Sequence, residues 1–167
     1  VEPHTEYLVS SIATKIIEPK INPDKLHTLL KENQIIIGYK TAKSYNLKIG
    51  SKVTLLIPEP SRKNKILLQE KPATVSGIFK IGLDEYDSNF AYTSINHMRN
   101  LFQEKRGVNQ LSLSLSPKQT SLFESSATRE SNLVNKIRST LPGLTVSTWK
   151  DLYPDLVSSL ILEKYVM

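Results

Sequence analysis

Apolar positions along this chain fall into short blocks of two periods, separated by prolines, glycines and polar runs. After Pro3, Tyr7, Leu8, Ile12 and Ile16 recur at helical spacing until Pro19 and Pro23 interrupt them. A short second helix is expected from Asp24, with Leu26, Leu29 and Leu30 on one side. Ile35-Ile36-Ile37-Gly38 reads as a short buried strand, and Tyr39 to Asn46 as a helix with Ala42 turned inward. Gly50 marks a turn that requires positive φ before a strand from Val53 to Ile57. Strand character resumes from Ala73 to Ile81 and again at Phe90-Ala91-Tyr92. Ser94 is expected to cap a helix whose Ile95, Met98, Leu101 and Phe102 share one face.

The rest of the chain alternates the two periods. Leu111 to Ser116 switch strictly between leucine and serine, the pattern of a half-buried antiparallel strand. Residues 117–128 are polar and serine-rich, which predicts a mobile loop. Leu133, Val134, Ile137 and Leu141 then form a helical stripe, and Leu144-Thr145-Val146 a strand. A last helix begins near Thr148 and carries Leu152, Leu156, Val157, Leu160, Ile161 and Tyr165. These apolar positions form two adjoining rows, wider than one domain face needs, so the helix is expected to continue into a membrane. The pattern is α+β, with a β-α-β-α tail from residue 108 that is half of a split βαβ sandwich.

One segment departs from both periods. Pro58-Glu59-Pro60-Ser61-Arg62-Lys63-Asn64-Lys65-Ile66-Leu67-Leu68-Gln69-Glu70-Lys71-Pro72 is bounded by prolines and basic in its middle. Between two strand patterns it reads as a hairpin with a long protruding loop. Loops of that length inside compact domains are functional or disordered.

Composition narrows the chemistry. At 167 residues the chain is long enough for one domain or two small lobes. It contains no cysteine, which removes disulfides, thiol catalysis and thiolate metal sites. No apolar run approaches the roughly 20 residues that span a bilayer. The first residue is Val1, no signal segment follows it, and the leucine-rich helix reaches Met167 without a cap, so the sequence reads as a piece of a longer protein. His4, His27 and His97 lack a second ligand at metal spacing and read as surface residues, so no metal site is expected. The six glycines form no dinucleotide or phosphate-binding loop, and no nucleophile elbow is present. Asp84, Glu85 and Asp87 miss the calcium-loop spacing and read as a solvated turn. The expectation is a non-enzyme without cofactor.

The formal charge of +6 suits nucleic acid, an anionic membrane surface or an acidic protein partner. Lys40, Lys43, Lys48, Lys52, Lys63, Lys65 and Lys71 make the first half basic. Aromatic residues are 7% and do not interleave with these cations, so no nucleic-acid partner is expected.

Three blocks carry a resemblance. IIIGYKTAKSYNLKIGSKVTLLIPEP is similar to a glycine-alanine-leucine-glycine-valine segment of the permease superfamily that includes the macrolide exporter, with Ser51 where an Asp is usual. TVSGIFKIGLDEYDSNFAYTSINHMRNLF resembles the lipoprotein-releasing (Lol) permease pattern through Gly77, Ile78, Phe79, Gly82, Glu85, Tyr86, Asp87, Ser88, Ala91, Tyr92 and Ser94. TWKDLYPDLVSSLILEKYVM resembles the same family through Trp149, Leu152, Leu162, Glu163, Lys164 and Met167, with Ser159 replacing the usual alanine. Val1-Glu2-Pro3 resembles the element that opens this region.

The resemblance implies the periplasmic domain of an inner-membrane ABC transporter permease that works with a partner permease subunit and a cytoplasmic ATPase. It implies two lobes: residues 1–106 as a β-rich inserted lobe, and 107–167 as the closing half of a porter-like lobe leading to a transmembrane helix. It also places a hook at the loop 58–72, gripping a soluble periplasmic lipoprotein carrier (LolA-like) to which lipoprotein cargo is passed. The partner-binding residues are then Pro58, Pro60 and Pro72 in stiffened stems, Ile66, Leu67 and Leu68 as apolar contacts, and Arg62, Lys63 and Lys65 as steering charge. An ordinary hairpin loop is the other reading of the segment. Two alternatives for the whole chain stay open: a macrolide-exporter-like or mechanotransmission permease, and a basic free-standing binding module.

Overall fold

A computed structural model describes residues 1–60, 66–103, 107–114, 126–152, 154 and 158. The chain divides into two compact units, Val1–Ser114 and Leu115–Met167. The first is built on a mixed five-stranded sheet, so the α+β class is borne out.

The opening residues form α1 (Glu6–Val9), a 3₁₀ turn (Ile12–Lys15), strand β1 (Ile16–Glu18) and a second 3₁₀ turn (Pro23–Thr28). The single helix expected from Pro3 to Ile16 is thus divided. Ile12 and Ala13 bury in the 3₁₀ turn, and Ile16 turns extended to pair with Phe79. Strand β2 (Gln34–Gly38) leads directly into α2 (Tyr39–Ser44), and Ala42 faces inward as expected. Next come β3 (Lys52–Pro60), β4 (Ile66–Phe79), α3 (Asp84–Asn89), β5 (Ala91–Thr93) and α4 (Ile95–Phe102). The order across the sheet is β1-β4-β2-β5, and β3 also pairs with β4. β2 runs parallel to β4 and antiparallel to β5.

The run Ile35-Ile36-Ile37 is apolar at every position because β2 is covered on both faces. Ile36 joins Ile12, Ala13, Ile16, Leu26, Leu30 and Phe79 on one side. Ile35 and Ile37 join Ala42, Ala73, Val75 and Ile78 on the other. The register skips one residue between Val75 and Gly77, which lets Val75 and Ile78 face the same cluster despite their odd spacing. Ser76, at the skip, is buried and donates its hydroxyl to Leu29 O (2.5 Å) and Ile35 O (3.1 Å).

Two residues of the resembling blocks hold the sheet to its helices. A Cβ on Gly38 would meet the carbonyl oxygen of Asp87 at 2.2 Å, so the start of α2 can approach α3 only with glycine there. Asp87, 2% exposed, accepts from Ile81 N–H (2.8 Å) and Gly82 N–H (3.1 Å). Within α3, Asp84 and Glu85 are solvent-exposed as expected, but Asp87 is not: it ties the loop after β4 to α3, and Thr41 Oγ1 donates to Ser88 O (2.6 Å) nearby. Gly50 has φ +86, as its turn requires.

The expected cap of α4 is present, with His97 N–H donating to Ser94 Oγ at 3.1 Å. Its inward face differs. His97 (2% exposed) and Leu101 are buried, whereas Met98 and Phe102 are about half exposed. His97 Nδ1 accepts from Asn33 N–H (3.3 Å), and burial lowers its pKa below the ordinary 6.5 against the opposing pull of Glu32. The histidines are not all isolated surface residues either, since His4 and His27 stack with ring centroids 4.8 Å apart.

Leu111–Ser114 form no strand, and Leu111 is 73% exposed. Alternation alone creates a strand only where a partner ladder accepts its backbone groups, and none among the described residues does. Leu115 and Ser116 of the expected strand and residues 117–125 of the expected loop lie outside the described residues, whereas 126–128 are not loop but the first residues of a helix. In the second unit the helical stripe is borne out as α5 (Ser126–Thr140). Residues 144–146, expected as a strand, are irregular. α6 (Trp149–Leu152) begins after Thr148, whose N–H and hydroxyl both donate to Asp151 Oδ2, at 2.8 and 3.0 Å. Most of the helix expected beyond it lies outside the described residues. Among the described residues no helix is long and apolar enough to cross a membrane.

Candidate functional site

The expected hairpin is present, but residues 58–60 and 66–72, expected within its loop, are strand. β3 continues to Pro60 and β4 begins at Ile66, in unbroken antiparallel register from Lys52↔Thr74 to Pro60↔Ile66. The prolines that suggested loop boundaries lie inside the ladder, and its geometry explains why they are tolerated. Val75 N–H donates to Ser51 O (2.9 Å), so odd-numbered residues of β4 bond towards β3. Thr74 N–H donates to Asn33 O (2.8 Å), so even-numbered ones bond away from it. Pro72 is even and lies opposite Thr54, while Pro58 and Pro60 lie opposite Leu68 and Ile66. All three therefore occupy non-hydrogen-bonded pairs, where the missing N–H would have pointed out of the ribbon.

β2 pairs with β4 only from Thr74 onwards. Among the described residues the stretch from Ile66 to Ala73 has β3 as its single partner, and the two strands leave the sheet as a ribbon. From Thr74 to Ile66 this arm measures about 26 Å at about 3.3 Å per residue. An isolated two-stranded ribbon is marginal in water. This one is held at its base by Val53, Leu55 and Ala73, which belong to the cluster beneath α2.

The two faces of the arm differ. Val53, Leu55, Ile57, Gln69 and Lys71 are half-buried on the side continuous with the core. On the other side Leu56 (58% exposed), Pro58 and Leu68 (60% exposed) stand together, with Pro58 directly across from Leu68. Leu67 is 55% exposed on the opposite side. The expected binding residues are thus placed unevenly. Pro58, Leu67, Leu68 and Pro72 lie along the described arm, and Pro60 and Ile66 form its last described pair. Arg62, Lys63 and Lys65 lie outside the described residues, in the five-residue connection.

Leu56 is an exposed apolar residue of the arm that lies outside segment 58–72. Period two carries the signal, because Lys52, Thr54 and Leu56 alternate with Val53, Leu55 and Ile57 and so place Leu56 on the polar side.

The described arm turns Leu56, Pro58, Leu67 and Leu68 to solvent. What it offers is apolar area with flanking charge. Elsewhere in the first unit an open groove of about 530 Å³ is lined by Ile17, Tyr39, Leu47 and Ile78 together with Glu18, Lys43 and Lys48. No group of three or more His, Asp or Glu side chains able to hold a metal occurs among the described residues.

No protein-family model matches the chain. The chain is similar to the lipoprotein-releasing system transmembrane protein LolC of Neisseria meningitidis serogroup B, at 30% identity over 116 residues. The match covers 67% of this chain and 28% of that protein, so the chain spans little more than a quarter of its relative's length. The likeness is to a Lol-type transmembrane component, in agreement with the motif resemblance.

Proposed function

We propose that this chain is the periplasmic domain of an inner-membrane ABC transporter permease, which releases lipoproteins and passes them to a soluble periplasmic carrier. The domain itself is non-catalytic. Residues 1–106 form the inserted lobe and 107–167 the closing half of the porter-like lobe, and a partner permease subunit and a cytoplasmic ATPase complete the machine. The observation that carries this reading is the projecting β3–β4 arm, which exposes Leu56, Pro58, Leu67 and Leu68 instead of burying them. Its occurrence on a chain similar to a lipoprotein-releasing component supports a grip on a soluble partner.

The arm suits that task physically. Prolines in both strands limit the ordering cost of binding. The leucines supply contacts that slow dissociation, and Arg62, Lys63 and Lys65 supply charge that speeds encounter. Ile57 and Gln69 form a hydrogen-bonded pair, the flank that a two-residue turn closes. Replacing residues 58–68 by Asn-Gly therefore removes the distal arm and keeps its base. In surface-binding kinetics with the purified carrier from the same organism, this variant is expected to lose binding while melting within a few degrees of the parent. Undiminished carrier binding would move the partner surface elsewhere.

A further inference from the structure

The arm has two long edges, and its prolines treat them differently. On β3 the outward-pointing positions are Lys52, Thr54, Leu56, Pro58 and Pro60, so the distal half of that edge has no N–H to offer. On β4 they are Ile66, Leu68, Glu70 and Pro72, so the distal half of this edge keeps three consecutive donors. Below it, the same lane of the sheet is filled by β2, which starts at Gln34 opposite Thr74. Among the described residues nothing pairs with the outward groups of Leu68 and Glu70. The lane beside β4 is thus occupied along the sheet body and open along the arm. Long unpaired edges of this kind template strand addition.

The geometry points to main-chain capture: we infer that an extended segment of an acidic partner protein adds as a strand to the β4 edge at Ile66–Glu70, in line with β2. This rests on the carrier-binding reading above and specifies how the arm grips. A strand in that lane would lay its alternate side chains beside Leu68 on one face and Leu67 on the other, the two exposed leucines of β4. Between Lys52 and Lys71 the sequence holds five cations and two carboxylates, which favours an acidic partner strand. The same charge disfavours a second copy of this chain, whose own basic arm would lie alongside.

The prolines already in the ribbon supply the test. Glu70→Pro deletes an outward donor at a position of the same class as Pro58, Pro60 and Pro72, so the β3–β4 ladder is preserved. Glu70→Ala removes the side chain alone, and Thr54→Pro places the same lesion on the opposite edge. With the purified soluble lipoprotein carrier as probe, Glu70→Pro is expected to weaken binding at least tenfold relative to Glu70→Ala, with Thr54→Pro within twofold of the parent. Equal binding by Glu70→Pro and Glu70→Ala would overturn strand capture yet leave carrier binding intact. No carrier binding by the parent chain would instead overturn the reading on which the inference rests. Should Glu70→Pro unfold, amide exchange on the parent decides: the Leu68 and Glu70 amides must slow at least tenfold with carrier, and unchanged rates overturn the inference. Concentration-dependent dimerisation abolished by Glu70→Pro also overturns it, by making a second copy the occupant.

Discussion

β4 passes through two environments and solves a different problem in each. From Ala73 to Phe79 it is the centre of the sheet, with Val75 and Phe79 fully enclosed and strands on both sides. From Ile66 to Pro72 it is half of a ribbon with one partner strand, and Leu67 and Leu68 face solvent. The residues reflect the change. Ala-Thr-Val-Ser-Gly-Ile-Phe is small and apolar, with Gly77 lying 3.2 Å (from a would-be Cβ) from Glu18 O. Ile-Leu-Leu-Gln-Glu-Lys-Pro keeps β propensity yet adds charge and an outward proline. The body's side chains are dictated by neighbours on every side, while the arm's are dictated by the ladder alone. Body residues such as Gly38, Gly77, Phe79 and Asp87 are also those through which two of the motif blocks match. The resemblance therefore argues for the frame more strongly than for the arm's task.

The sharpest way to break this contrast is to truncate one large side chain in each half of β4. Phe79→Ala removes a ring packed edge-on against Tyr92 (centroids 5.1 Å apart) and is expected to cost about 3–5 kcal/mol in chemical denaturation. Leu68→Ala, on the arm, should cost less than about 0.5 kcal/mol and act instead on carrier dissociation. If Leu68→Ala destabilises the chain as much as Phe79→Ala, the arm is core and the distinction fails.

A second variant separates buried from exposed carboxylates within one turn of α3. Asp87→Asn keeps the shape but turns an amide donor towards Ile81 N–H or Gly82 N–H, a loss of about 1–3 kcal/mol. Asp84→Asn breaks only the exposed ion pair with Lys40 and should stay within about 1 kcal/mol of the parent. Thermal denaturation of the two variants side by side measures the difference. Equal melting temperatures would mean that Asp87 is no anchor.

Much of the body was legible in the sequence because its signals are local. The apolar run of β2, the positive-φ turn at Gly50, inward Ala42 and the Ser94 cap each depend on a few adjacent residues. The hairpin is legible in the sequence, but how far its strands run is not, for a physical reason. Proline interrupts a strand only where its N–H would have bonded, and which way each residue's N–H points depends on the register with the partner strand. Pro58, Pro60 and Pro72 therefore looked like loop boundaries although all three sit outward. Leu111 to Ser114 failed in the opposite direction, since perfect alternation says nothing about whether a partner strand is present. Buried polar residues were the other blind spot. Asp87 and His97 satisfy backbone groups contributed by distant or looping segments, a relation no periodicity encodes.

His97 provides the finest test of the body as a place where neighbours dictate. Its ring lies between α4 and the turn before β2, and Nδ1 accepts from Asn33, which itself has positive φ. That bond requires Nδ1 to be unprotonated, so the neutral form carries its hydrogen on Nε2, which has no partner among the described residues. Burial holds the folded pKa below the ordinary 6.5, Glu32 opposing more weakly. The unfolded chain then binds the proton more readily than the folded one, and stability rises with pH wherever that holds. The contribution is complete above about 6.5 and is lost as pH falls from there through the folded pKa. His97→Asn offers Asn33 an uncharged acceptor and does not titrate. Denaturation midpoints compared between pH 7.5 and 5.5 should fall more for the parent than for His97→Asn, a small difference in slope. Parallel profiles would show that the buried imidazole is not protonated in competition with folding, and that the Asn33 contact tolerates the charged ring.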